Sequence, residues 1–126
     1  MKSRCATLRP VAASLLALVL LANAGAADPD EAARFTRGWA TLRSMDCARC
    51  HGRDYDGWAA PSLVAAVRDS SRERFERWVL DGNIGAGMPG YRGQALVAGN
   101  LDAIYAYLLA RSQGAVGPGA PGAGAR

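Results

Sequence analysis

A chain of 126 residues and 13.2 kDa has room for one small domain with short extensions, not for two independent cores. Fifteen basic and eleven acidic residues give a formal net charge of +4, but three of the cations, Lys2, Arg4 and Arg9, lie within the first ten residues. Without that segment twelve cations, all arginine, face eleven acids, a net charge of +1 that excludes the polybasic surface nucleic acid binding requires.

The first element in chain order is a targeting segment. A basic stretch is followed by an apolar run at residues 11–21 and by two small-x-small sites ending at Ala24 and Ala26. This is the pattern of a cleaved secretory signal, residues 1–26. The apolar run is shorter than the roughly 20 residues a spanning helix needs, so no stable membrane insertion is expected. Cys5 precedes that run, so it is not a lipidated cysteine of the kind that follows one, and it leaves with the signal. Export implies a periplasm, where free thiols tend to be oxidised.

The spacing then predicts a helix over residues 29–45, with Phe35, Trp39 and Leu42 at i, i+4 and i+7 on one face. A weaker helical turn is expected at 62–67. A second helix is expected at 71–80, with Ser70 and Glu73 as a capping box, Phe75, Trp78 and Val79 on one face, and Gly82 beyond its end. Residues 83–99 read as a Gly-rich loop around Met88. A third helix is expected at 100–111, striped by Leu101, Ile104, Tyr105 and Leu108. No alternating strand pattern and no repeat appears, so the fold class is all-α. The domain spans residues 28–111, and residues 112–126, rich in Gly, Pro and Ala, read as a disordered tail. Trp39, Phe75 and Tyr105 are expected in the core. A domain this small often needs a staple or a cofactor.

The chemistry concentrates in "SMDCARCHGRD", which holds Cys47, Cys50 and His51; the chain has no other histidine and only Cys5 besides. A dithiol redox pair of this spacing usually accompanies a βαβ pattern, which is missing. A structural zinc site needs four N/S ligands, and only three are at hand. C-x-x-C-H is also the attachment motif of c-type haem, and that reading uses all three residues. The two thiols would add to the vinyl groups, and His51 would ligate the iron. For the sixth ligand the candidates are Met45 and Met88. Met45 lies two residues before Cys47, on the His51 side. Met88 lies far enough along the chain to reach the opposite face, and Pro89 biases it toward extended backbone. Gly85, Gly87 and Gly90 would let that backbone pass close to a flat ligand. Met with His is a standard pairing, so the expected metal ligands are His51 and Met88. Asp54 and Asp56 read as solvated turn residues, too few for calcium. Trp58, Tyr91 and the arginines all stand as partners for the haem propionates.

In this order the chain resembles the class I c-type cytochromes: a first helix with Phe35, Gly38 and Trp39, then CARCH, Pro61, Met88-Pro89, and a last helix with Tyr105 and Leu108. The resemblance covers about residues 31–111. It implies a small cytochrome c fold of three main helices around one covalent haem c, with the first and last helices crossing. It also implies that the Pro61 carbonyl accepts from the axial imidazole of His51. Three stretches, "HGRDYDGWAAPSL", "VLDGNIGAGMPGY" and "LDAIYAYLLARSQGAVGPGAP", look like the soluble cytochromes that accept electrons from periplasmic quinoprotein (PQQ-dependent) alcohol dehydrogenases. The lysine ring many mitochondrial-type cytochromes use for docking is missing.

The function expected is therefore one-electron transfer by a monomer without catalytic residues. Its donor would be a quinoprotein alcohol dehydrogenase and its acceptor a terminal oxidase or another cytochrome. Two alternatives stand beside it: a haem enzyme or gas sensor with a labile sixth ligand, and a fixed haem subunit of a dehydrogenase or oxidase complex.

Overall fold

A computed structural model describes residues 28–122; the expected signal at residues 1–26, with Cys5, lies outside them. Among the described residues are five α-helices: α1 Pro29–Ser44, α2 Ala48–His51, α3 Leu63–Asp69, α4 Arg72–Asp81 and α5 Ala95–Ser112. A 3-10 turn covers Ile84–Ala86, and the only strand-like pairing among the described residues is a single bridge between Asn83 and Met88. The all-α expectation holds, with four helices longer than one turn rather than three.

Local chemistry explains the start of α1. The Asp28 carboxylate accepts the Asp30 N–H, Pro29 occupies the first turn where no N–H is needed, and Asp30 and Glu31 complement the positive end of the helix. The principal packing is α1 across α5. Gly38 is buried at the crossing, and a Cβ there would lie 2.1 Å from the Ala103 carbonyl oxygen. The two backbones therefore meet with no side chain between them, which only glycine permits. Arg34 of α1 holds Asp102 of α5 in a two-pronged pair at 2.7 and 2.6 Å. Arg72 of α4 donates to the same carboxylate at 2.9 Å and lies 5.3 Å from the Tyr105 ring centroid. One aspartate thus joins three helices around a core that includes Leu42, Phe75, Ile104 and Leu108.

Several boundaries differ from the sequence expectation. Helix α5 begins at Ala95, inside the expected loop. Its N-terminus has no side-chain cap and Gly99 lies in its second turn, so local signals are weak; the burial of Val97 holds that turn in place. The cap of α4 is Ser71, whose Oγ accepts the Arg74 N–H at 3.3 Å, while Ser70 instead donates to the Ala66 carbonyl and closes α3. The weak turn at 62–67 is a full helix, capped by Ser62 Oγ accepting from the Ala65 N–H. The tail also differs in part. Ser112 still belongs to α5, and Ala115 and Val116 donate N–H groups to the Ala110 carbonyl. Val116 packs on the core, and the Tyr107 hydroxyl donates to the Gly119 carbonyl at 2.9 Å. Residues 113–122 form no regular element and lie against the domain. The helix end has carbonyls to satisfy and Tyr107 is wholly buried, so both find partners in the tail.

Candidate functional site

Asp46, at φ 53°, turns the chain out of α1, and CARCH then winds into the single turn α2 rather than an open loop. The His51 N–H donates to the Cys47 carbonyl at 3.0 Å. At helical spacing Cys47, Cys50 and His51 occupy i, i+3 and i+4, so all three face one side. Gly52, at φ 86°, ends the turn, and a Cβ there would meet the Gly57 carbonyl oxygen at 2.7 Å. The chain doubles back: Gly57 N–H donates to the His51 carbonyl and Ala60 N–H to the Cys50 carbonyl, both at 2.8 Å. Tyr55, at φ 65°, anchors the return, its carbonyl accepting from the Leu63 and Val64 N–H groups and the Ser62 hydroxyl. The product of this folding is a bond from His51 Nδ1 to the Pro61 carbonyl at 2.7 Å. A carbonyl can only accept, so Nδ1 donates, and in the neutral ring the lone pair is then on Nε2.

Met88 is presented by a tight loop tied to the end of α4. Asn83 and Met88 exchange N–H to carbonyl bonds at 2.8 and 3.0 Å, and Tyr91 and Arg92 donate N–H groups to the Val79 and Leu80 carbonyls. Gly90 serves that approach, since a Cβ on it would meet the Asp81 carbonyl oxygen at 2.8 Å, whereas a Cβ on Gly87 would meet only open space. The close pass expected of these glycines is therefore, at Gly90, onto α4 itself.

These residues border a cleft in two compartments. The first, about 300 Å³, is lined by Cys47, Cys50, His51, Met45 and Met88 together with Leu42, Phe75 and Ile104. The second, about 470 Å³, runs between α3 and α4 past Pro61, Leu63 and Trp78. His51 and Met88 border both compartments, whereas Met45 borders only the first. Burial, with the carboxylate of Asp46 and the neighbouring Cys50, pushes the Cys47 thiol up, and burial does the same to the Tyr91 phenol.

Residues 33–108 match the protein family described as cytochrome c oxidase, cbb3-type, subunit III. The chain belongs to this family of c-type cytochromes. It is 30% identical over 114 residues to cytochrome c-555 of Methylococcus capsulatus, covering 90% of each chain. It is 40% identical over 78 residues to cytochrome c55X of Paracoccus denitrificans, covering 61% of this chain and 75% of the relative. Its fold is similar to that of the crystal structure of the c-type cytochrome XoxG from Methylobacterium extorquens AM1, with a TM-score of 0.64 and 28% identity. That likeness covers 71% of this chain but only 57% of XoxG. This cytochrome is an electron carrier rather than an enzyme, and its cofactor is covalently attached haem c.

The residues present fit that group. The donor set is two thiols, an imidazole locked in one tautomer and a thioether, on a predominantly apolar cleft. Other contributors to the cytochrome's site were not anticipated. Arg111 extends the α5 stripe by three residues beyond Leu108, and only 5% of its side chain is exposed. It donates to the Asp54 carbonyl at 3.0 Å and to Asp56 Oδ2 at 3.3 Å, clamping the loop that follows CARCH onto α5. Asp56 is thus a solvated turn residue that also pairs with Arg111, and Asp54 contributes its backbone. The signal was an arginine in register with an apolar stripe. Trp58 and Ile84 are 83% and 75% exposed, in the two loops that border the cleft.

Proposed function

We propose that this cytochrome is a periplasmic one-electron shuttle, with haem c joined to Cys47 and Cys50 and ligated by His51 and Met88. The observation that carries the reading is the His51–Pro61 bond at the edge of a cleft bordered also by both cysteines and Met88. Bound there, haem c supplies an Fe(III)/Fe(II) couple. The Pro61 carbonyl fixes the ring of His51 and directs Nε2 away from the backbone, the role an outer hydrogen bond plays for a ligating histidine. His51 and Met88 would together hold the iron and would leave no ligand position to oxygen or peroxide. The thioether of Met88 and the apolar walls of Leu42, Phe75 and Ile104 favour the reduced state and raise the potential. The donor is a PQQ-dependent alcohol dehydrogenase, supported by the likeness of the "VLDGNIGAGMPGY" and "YLLARSQGAVGPGAP" stretches, and the acceptor is a terminal oxidase. The name of the matching family favours a second reading, a haem subunit held in an oxidase. No helix among the described residues is long and apolar enough to cross a membrane. Native size-exclusion chromatography separates a free shuttle of about the chain's own mass from a subunit.

The ligand set is tested by substitution. Met88→Ala is expected to abolish the weak far-red band of the oxidised spectrum, lower the potential and open the iron to carbon monoxide, while Met45→Ala does none of these. The reverse pattern would reassign the sixth ligand to Met45.

A further inference from the structure

Haem brings two carboxylates that must end near donors, and the cleft offers few. The first compartment has one carboxylate of its own, Asp46, and no cationic side chain lines it. The second is lined by Asp69 and Arg74. Asp69 is already held by Arg68 in a two-pronged pair at 2.7 and 2.8 Å, which keeps its carboxyl below the usual range. Among the described residues Arg74 has no carboxylate within 4.0 Å.

Helix geometry puts Arg74 at the rim. Phe75 and Val79, four residues apart on α4, line both compartments, and Phe75 is buried. Arg74 and Trp78, also four apart, line only the second compartment and are exposed. The helix therefore turns one apolar row into the cleft and sets an arginine and an indole N–H along its edge. Beyond the helix end Asn83 lines the same compartment. Its Oδ1 accepts the Ala86 N–H at 3.3 Å, which leaves the amide nitrogen as a donor.

The alternatives fall away on position. Trp58 lines neither compartment, and Tyr91 lines only the first. Arg49 pairs with Asp46 at 3.2 Å, and Arg111 is committed to Asp54 and Asp56.

We propose that Arg74, supported by the Trp78 and Asn83 N–H groups, binds a haem propionate at the α3–α4 edge of the cleft. This rests on the haem reading above. Arg74 is a positioning residue: it holds the propionate ionised and adds a positive charge at the haem edge. The other carboxylate or guanidinium lining this compartment is Asp69 of α3, whose carboxyl the paired Arg68 holds below the ordinary range.

The test compares Arg74→Gln, Arg74→Lys and Trp78→Phe with Arg77→Gln, a change on α4 that lines neither compartment. Intact mass first verifies one covalent haem, and the midpoint potential is then followed across pH. Arg74→Gln is expected to lower the potential at neutral pH and to raise the pKa of the propionate step by about one unit, the size of a lost charge partner. Trp78→Phe should raise that pKa without a change in charge. Arg74→Lys should restore most of the potential, and Arg77→Gln should leave the profile alone. An unchanged pH profile in Arg74→Gln, or an equal shift in Arg77→Gln, overturns the assignment. Absence of covalent haem from the unaltered protein would overturn the haem reading itself.

Discussion

At the scale of single residues, Tyr55 combines deep burial with a left-handed backbone. It is 1% exposed, its backbone is left-handed, and its hydroxyl has no hydrogen-bond partner among the described residues. Its ring meets Tyr107 edge-on at 6.3 Å. The ring, not the hydroxyl, secures the position, and an unpaired buried hydroxyl costs stability. Burial pushes the phenol up to about 12, with nearby Arg43 opposing. The folded state therefore prefers the neutral phenol. That preference costs nothing below pH 10, and stability is lost as pH rises from 10 toward 12 while the unfolded phenol ionises. Tyr55→Phe is expected to leave the melting temperature at pH 7 unchanged or higher, and to flatten the loss between pH 10 and 12. A loss above about 1 kcal/mol at neutral pH, the worth of one hydrogen bond, would show that the hydroxyl is satisfied.

Among the helices, Asp102 is the joint. It receives Arg34 from α1 and Arg72 from α4, and Arg72 also pairs with Glu76 at 2.7 Å. The Arg34 hydrogen bonds, aided by Arg72, hold its carboxyl below the ordinary 3.8. A depressed carboxylate contributes stability that is complete above the unfolded value and lost as pH falls through the folded one. The loss belongs below about pH 4. Asp102 is 55% exposed, so solvent screens the pairs. Asp102→Asn is expected to cost about 0.5–1 kcal/mol at pH 7 and to shrink the acid loss, measured by urea melts at pH 7 and pH 3. An equal cost at both pH values would assign the effect to packing.

For the whole molecule, two surfaces matter. The tail returns to satisfy Tyr107 and cover the end of α5, so ending the chain after Ser112 is expected to lower the melting temperature while leaving the haem spectrum unchanged. No change in melting would return the tail to the role of a loose extension. The contact with a donor is expected to be small and weakly steered, since residues 28–126 carry a net charge of only +1. Trp58 and Ile84, exposed in the loops flanking the cleft, offer apolar groups to such a contact. Stopped-flow reduction by a PQQ-dependent alcohol dehydrogenase is expected to be fast and to slow only mildly with salt. A steep salt dependence would refute apolar docking. No reduction by this donor, with brisk reduction by a quinol-oxidising complex, would replace the partner.

What the sequence determined by itself was whatever depends on covalent spacing and helical period. CARCH specifies two thiols and an imidazole on one turn. The stripes of Leu42, Phe75 and Ile104 specify helices with faces to bury. Asp28 with Pro29 and Ser62 mark starts because a cap bonds within three residues of itself. Only the tertiary structure decided which long-range partners meet. Arg111 reaches Asp56 across 55 positions and Arg34 reaches Asp102 across 68. The first turn of α5 has no local cap and exists because Val97 finds a buried place. Arg74, though exposed, stands at the edge of the cleft because α4 packs with Phe75 inward. Such choices depend on how helices dock, and docking depends on surfaces that local sequence does not bring together.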